Sequence, residues 1–187
     1  MARAQAANAT VNRLLEVAVD VFTEKPYDDV SLDEIASLAG VTKRTLLRRF
    51  GSKDALFVAA MEGARQEMIS LRGTAPVGDI PAAVAGLLDQ YERWGPNRLR
   101  LLSQEDRIPV IGEHVKAGRR WHWKWVERTF APLIGTLERA PRKRRIASIV
   151  AITDVYTWKL LRRDLGLSRA ETELILVDLI KRLQGEN

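Results

Sequence analysis

The stretch Ser31-Leu-Asp-Glu-Ile-Ala-Ser-Leu-Ala-Gly-Val-Thr-Lys-Arg-Thr-Leu-Leu-Arg-Arg-Phe50 decides the fold. Ser31 followed three residues later by Glu34 has the spacing of a capping box, in which a hydroxyl and a carboxylate satisfy amides left open at a helix start. The helix it opens, Leu32 to Leu38, is short because Ala39-Gly40 follows, and Gly tolerates the left-handed backbone of a tight turn. Thr42 is then the N-cap of a second helix, Lys43 to Phe50; Gly51-Ser52 closes that helix and Ser52 caps the next. Two short helices joined by such a turn form a helix-turn-helix, whose second helix can lie in the major groove of DNA. Ile35, Ala36, Ala39, Val41, Leu46 and Phe50 are its apolar positions. Lys43, Arg44, Arg48 and Arg49 supply the chemistry that grips phosphates and reads guanine edges.

Outward from this motif the pattern stays helical. Val11, Leu14, Leu15, Val17, Ala18, Val21 and Phe22 share one face of a helix over Thr10 to Lys25, stopped by Pro26, which lacks the N–H a helix interior requires. A fourth helix runs from Lys53 to about Leu71. The segment Arg72-Gly-Thr-Ala-Pro-Val-Gly78 breaks the periodicity and marks a domain boundary. Beyond it, helices are expected at about 79–94, 97–106, 109–138 (with a break at Gly118 or Pro132), 142–164 and 169–184, the last opened by a second capping box, Ser168 to Glu171. No hairpin signal or sustained alternation appears, so the fold class is all-α with about nine helices.

Composition narrows the function. The chain has 187 residues, 46% hydrophobic and 29% charged, with a net charge of +6, the balance of a folded chain and not of a disordered or fibrous one. No apolar run reaches the roughly 18 residues of a membrane span, and the N-terminus has no signal-like apolar core, so a cytoplasmic location without membrane contact is expected. With no Cys and two His, no metal site, cofactor or catalytic residue is expected, and no phosphate loop or activated nucleophile argues for an enzyme. The basic charge is focused: Lys43, Arg44, Arg48, Arg49 and Lys53 fall in eleven residues that hold no acid, although a basic run can also be a solvated helix face.

The stretch from Phe22 to Leu56, with its Leu-Ala-Gly-Val-Thr, Thr-Leu-x-Arg-x-Phe and Gly-Ser-Lys-Asp-Ala-Leu segments, resembles the N-terminal domain of TetR/AcrR-family transcription regulators. The resemblance implies a helix-turn-helix DNA-binding domain over 1–52, a connecting helix over 53–71, and a helical ligand-binding and dimerisation domain over 79–187. It implies a homodimer on a palindromic double-stranded operator, most often a repressor, released by a small-molecule effector. Thr42, Lys43, Arg44 and Thr45 stand where such proteins read bases, and Lys53 where they hold a phosphate; Ser31, Arg48 and Arg49 complete the expected DNA surface. Leu47 replaces a Tyr usual in the family, which removes a phosphate-binding hydroxyl, and Arg49 replaces a common His and can compensate by a charge-assisted contact.

In the second domain, helix 169–184 carries Ile175, Leu176, Val177, Leu179, Ile180 and Leu183 over an arc of about 200°, wider than one buried face needs. With Ile146, Ile149, Val150, Thr153, Thr157, Leu160 and Leu161 on helix 142–164, it suggests a four-helix seam between two copies. The expected dimer residues are Ile146, Ile149, Val150, Thr153, Thr157, Leu160, Leu176, Ile180 and Leu183; a larger monomeric core would use the same residues. All five Trp lie in this half. Tyr91, Trp94, Trp121 and Trp125 can wall a pocket for an apolar or aromatic effector. His114 joins the Trp121/Trp125 face if its helix runs unbroken through Gly118, although a satisfied core or surface histidine is the simpler account. If the aromatic region is solid core, the alternative is a ligand-independent or architectural DNA-binding protein.

Overall fold

Pro26 and the glycine turns set the first five segments of the chain where the sequence places them. The structure, a computed structural model, describes residues 2–72, 75–135 and 137–184, and among these residues no strand occurs. Helix α1 (Ala2–Glu24) is followed by a single 3-10 turn at Tyr27–Asp29, then α2 (Leu32–Leu38), α3 (Lys43–Phe50) and α4 (Lys53–Arg72). Thr42 accepts from the Thr45 amide at 3.2 Å and Ser52 from the Ala55 amide at 3.1 Å, so both caps form. Gly40, at φ +70°, makes the turn that lets the Val41 amide reach the Ala36 carbonyl at 2.9 Å; a side chain at that φ would be strained.

The capping box at α2 forms only in part. Ser31 accepts from the Asp33 amide at 3.2 Å, one residue short of the expected donor. Glu34 instead pairs with Lys25, because the turn after α1 brings an ammonium to a carboxylate that would otherwise fold back on its own helix.

The chain divides into two compact units: residues 1–67 with 100–115, and residues 68–99 with 116–187. In the first, Leu14, Ala18, Val21 and Phe22 of α1 are buried with Ile35, Ala36, Leu46, Leu56 and Phe57. Phe22, Tyr27 and Phe57 form an aromatic triad with ring centroids 5.2 to 5.7 Å apart, one pair stacked and two edge-on, the geometries that ring quadrupoles favour. Residues 100–115 differ from the expected layout, which gave them to the second domain. They pack here because the Tyr27 amide donates to Gln104 Oε1 at 2.7 Å, Arg100 donates to the Thr23 carbonyl and Arg107 pairs with Asp28. A 3-10 turn leaves few backbone partners of its own, and these side chains supply them.

The second unit is built from the end of α4, most of α5 (Ile80–Leu102) and α6 (Pro109–Thr129), and then α7 (Ala131–Ile134), α8 (Arg139–Ile152), α9 (Val155–Lys159), a π turn at Leu160–Asp164, and α10 (Arg169–Arg182). Helix α5 runs through Pro96 as one element where two were expected; the proline lies on an exposed face. The expected helix 109–138 stays whole at Gly118 and breaks at Phe130, after which Pro132 sits in the first turn of α7, where a missing N–H costs nothing. The expected helix 142–164 breaks at Thr153 and Asp154, because Asp154 caps a new helix by accepting from the Tyr156 amide at 2.9 Å. At α10 the capping box is complete: Ser168 Oγ accepts from the Glu171 amide at 3.2 Å and Glu171 accepts from the Ser168 amide at 2.8 Å.

Candidate functional site

Leu46 and Phe50 lie on the inward face of α3 at about 300° and 340° around the helix, counting 100° per residue from Lys43. Arg44, Arg48, Thr45 and Arg49 follow at about 100°, 140°, 200° and 240°, and the three arginines are exposed. Among the described residues these arginines pair with no carboxylate. The outward half of α3 therefore presents three free guanidinium groups and one hydroxyl-bearing residue. Thr42 and Thr45 are joined, their hydroxyls 3.1 Å apart at the start of the helix.

The other expected DNA-surface residues divide by what already holds them. Lys43 is exposed but donates to Asp33 at 2.8 Å, an exposed pair of small energetic weight that phosphate or base contacts can replace. Lys53 donates to the Tyr27 carbonyl and lies 4.4 Å over the Tyr27 ring. Partial burial against that ring lowers its pKa, opposed by the charges of Asp28, Asp54 and Asp29. Leu47 is half-buried and Ser31 is exposed. That the Lys53 ammonium serves the turn before α2 was not legible along the chain, because Tyr27 lies 26 residues away.

A second constellation lies in the other unit and centres on a residue that the sequence placed at a linker. Arg72, the last residue of α4, is 1% exposed. Its guanidinium carbon lies 4.6 Å from the Trp121 ring and 4.3 Å from the Trp125 ring. Nε donates to Gln90 Oε1 at 2.8 Å, and one terminal nitrogen lies 2.9 Å from His122 Nδ1. A guanidinium only donates, so Nδ1 accepts and the imidazole proton sits on Nε2. Nε2 then donates to Thr153 Oγ1 at 3.1 Å, and that hydroxyl donates to the Ile149 carbonyl at 2.7 Å. The Tyr91 hydroxyl donates to the Thr153 carbonyl at 2.9 Å.

Every acceptor around this cation is neutral. Desolvation pulls the Arg72 pKa down to about 10, with Tyr91 opposing and Arg98 adding to the shift. The same burial, with Arg72 and Arg98 as positive neighbours, drives His122 well below the ordinary imidazole value, against a smaller pull from the Val150 carbonyl. Tyr91 is raised, first by burial.

Of the expected ligand residues, Tyr91, Trp121 and Trp125 meet at Arg72. Trp94 is buried, and its Nε1 has no partner among the described residues. His114 shares the α6 face of Trp121 and Trp125, since α6 is unbroken through Gly118, and its ring packs edge-on against Phe57 at 5.7 Å within the first unit. The seam candidates divide as well. Ile146, Ile149, Thr153, Leu176 and Ile180 are buried within the chain's own unit; Val150, Thr157 and Leu183 are half-buried, and Leu160 is 50% exposed. Helix α10 explains the split. Its Thr172, Leu176 and Ile180 face inward, while Ile175, Leu179 and Leu183, at i, i+4 and i+8, form a second, partly exposed apolar stripe. Sequence arc width gave the two faces but not which residues belong to each.

Comparison with known proteins agrees with this geometry. Residues 14–60 match the model for bacterial regulatory proteins of the tetR family. The HTH-type transcriptional regulator RutR of Escherichia coli K12 is 39% identical over 59 residues, 32% of this chain and 28% of that protein. The HTH-type transcriptional repressor NicS of Pseudomonas putida is 35% identical over 110 residues, 56% of this chain and 51% of its own. The HTH-type transcriptional activator FasR of Mycolicibacterium smegmatis is 25% identical over 171 residues, 90% of this chain and 66% of its own. The chain thus spans about a quarter to two thirds of these relatives. A TetR-like transcriptional regulator from Rhodococcus sp. RHA1 shares the fold with a TM-score of 0.63 at 22% identity, over 95% of this chain and 97% of that one. A second Rhodococcus regulator does so with a TM-score of 0.68 at 21% identity, over 92% and 94%.

A buried imidazole kept neutral makes stability depend on acid. The His122 pKa is lower folded than unfolded, so its contribution is fully present above the ordinary value of 6.5 and is lost as pH falls below it, when the unfolded chain gains a proton the folded chain refuses. Urea unfolding at pH 7.5, 6.5 and 5 should show wild type losing about 1–2 kcal/mol more than His122→Gln over that range. Parallel pH profiles for the two proteins would contradict the burial assigned to this ring.

Proposed function

Because this chain carries a TetR-family N-terminal domain on an all-α fold shared with TetR-like regulators, we propose that it is a sequence-specific DNA-binding transcription regulator. In this reading it is a homodimer, a repressor that leaves a palindromic operator when a small effector occupies its second unit. The observation that carries it is the outward face of α3. Arg44, Arg48 and Arg49 stand free there, on the recognition helix of a helix-turn-helix whose inward face is fixed by Leu46 and Phe50. Thr42, Lys43, Arg44 and Thr45, at and after the N-cap, reach base edges; Arg48, Arg49 and Lys53 serve phosphates, with Arg49 replacing what Leu47 lacks. To reach DNA, Lys43 exchanges its Asp33 partner and Lys53 leaves the Tyr27 carbonyl.

A single short recognition helix reads few base pairs, so two copies are needed, with heads about 34–36 Å apart or a multiple of that. The surface that fits a partner copy is the stripe Ile175, Leu179 and Leu183 together with Leu160 and Tyr156, which are exposed or half-buried. The ligand-independent alternative draws on the burial of Tyr91 and Trp125. The uncompensated charge of Arg72 beside them favours an effector.

Replacing Arg48 or Arg49 with Ala should weaken binding to a selected operator and to random duplex alike, and each should flatten the log K against log salt slope by about 1; Arg44→Ala should change which bases a random-duplex selection recovers. Lys53→Ala is a poorer test, because it also strips the Tyr27 turn of a contact. Wild-type affinity, slope and base preference in all three arginine variants would contradict the assignment. For the dimer, Leu160→Glu combined with Leu179→Glu should sediment as a folded monomer at micromolar concentration where wild type is a dimer; an unchanged sedimentation coefficient would place the interface elsewhere.

A further inference from the structure

A buried cation normally brings its own anion, since desolvating an unpaired charge costs several kcal/mol even after the surroundings relax. Arg72 brings none. Gln90 and His122 use Nε and one terminal nitrogen, and the other, NH2, is buried with no partner among the described residues. Beyond burial, the groups that act on its ionisation are Tyr91, through its electrostatics and a side-chain hydrogen bond, and Arg98, with no carboxylate among them. Asp154, which acts on Tyr91, caps α9 through the Tyr156 amide and is not among the groups that act on Arg72.

The neighbouring donors point the same way. At 100° per residue, Gln90, Trp94, Arg98 and Tyr91 fall within about 100° on one face of α5, and Trp121, Trp125, Gly118 and His122 within about 100° on one face of α6. A Cβ on Gly118 would lie 3.4 Å from an Arg98 terminal nitrogen, which sets that second guanidinium against the α6 face. Arg98 pairs with no carboxylate among the described residues, and the Trp94 indole N–H on the same α5 face is also buried without an acceptor. Two guanidinium groups therefore stand near each other with donors to spare and no carboxylate partner among the described residues, beside the Trp121 and Trp125 indoles, and the Trp94 indole N–H lies on the same α5 face. The site is also held in place: a Cβ on Gly86 would collide with the Arg72 carbonyl oxygen, so only glycine at that turn of α5 lets the end of α4 approach this closely.

We infer that the second unit holds a site for a small organic acid, whose carboxylate is bound by the free edge of Arg72 with Arg98 and Trp94, and whose flat or apolar body lies against Trp121 and Trp125. This rests on the reading of that unit as the effector-binding half and adds to it the charge of the effector. A planar carboxylate matches a guanidinium edge by two parallel hydrogen bonds, and an organic acid also carries a flat or apolar body for the indoles, which inorganic phosphate lacks. The site also implies a tension between stability and function: the ligand-free protein holds a cation it would be more stable without.

The test uses the full chain without DNA, so that its failure and the failure of the regulator reading are separable. Thermal unfolding and tryptophan emission are followed at constant ionic strength with benzoate, phenylacetate, indole-3-acetate and octanoate, each beside its neutral amide, and with inorganic phosphate. At least one acid should raise the unfolding midpoint and change the emission with submillimolar affinity, and its amide should bind at least about tenfold more weakly; phosphate should do neither. Arg72→Met should raise the ligand-free midpoint and abolish the response to that acid. Arg98→Gln should weaken acid binding about tenfold with the fold intact, which keeps the test decisive if the Arg72 variant does not fold. The inference is overturned if none of the four acids binds below 10 mM, if acid and amide bind equally, if phosphate stabilises as well as the best acid, or if Arg98→Gln binds that acid as wild type does.

Discussion

The guanidinium of Arg72 organises the second unit. Trp121 and Trp125 flank it, Gln90 and His122 accept from it, and the orientation of His122 then passes to Thr153 and the Ile149 carbonyl. Hydrogen bonds of this kind satisfy donors but do not neutralise charge. Stacking on indoles recovers roughly 2 kcal/mol or more at a desolvated site, against a larger desolvation cost. A core selected for stability alone would put Met or Leu at this position. The arrangement makes physical sense when the proposed anion completes it, and burial together with the same charge keeps His122 neutral.

The first unit treats charge in the opposite way. Its buried interior is an aromatic triad with alanines and leucines, and its cations lie outside. Of the five in the basic run, Lys43 and Lys53 already have partners within the unit, while Arg44, Arg48 and Arg49 have none among the described residues. The division has a chemical basis. A lysine is a point charge that local carbonyls and carboxylates can borrow, whereas an exposed guanidinium on a fixed helix keeps its fork for phosphate or guanine. Residues 100–115 bond the turn between α1 and α2 through Gln104, Arg100 and Arg107.

Local chemistry was legible in the sequence where one short stretch decides the outcome. Pro26, Gly40, Thr42, Ser52 and the Ser168/Glu171 box each set an element boundary within their own few residues, and the structure follows them. What was not legible depended on contacts far along the chain. Glu34 left its capping box for Lys25, a helix ran through Pro96, and Asp154 started a helix inside what looked like one periodic run. The candidate DNA surface could be read because its residues are contiguous. The proposed organic-acid site could not, because it joins residues 72, 94, 98, 121 and 125, and Arg72 reads as a linker residue until its burial is seen. The dimer stripe is hard to read from sequence for a related reason: periodicity shows that α10 has two apolar faces and not which of them the chain keeps for itself.

Helix α4 carries the proposed phosphate contact Lys53 at its first residue and the buried cation Arg72 at its last. A ligand changes DNA affinity only by the difference in its own affinity for the DNA-competent and DNA-incompetent states, and the effect is reciprocal. The decisive measurement is the equilibrium affinity of the full chain for its selected operator at fixed ionic strength, with and without a saturating concentration of the organic acid that stabilises it most. A fall of about 100-fold, equal to about 2.7 kcal/mol of differential binding, with the acid bound about 100-fold more weakly by the operator complex, is the result expected. Equal operator affinity with and without the bound acid would contradict ligand-gated DNA binding.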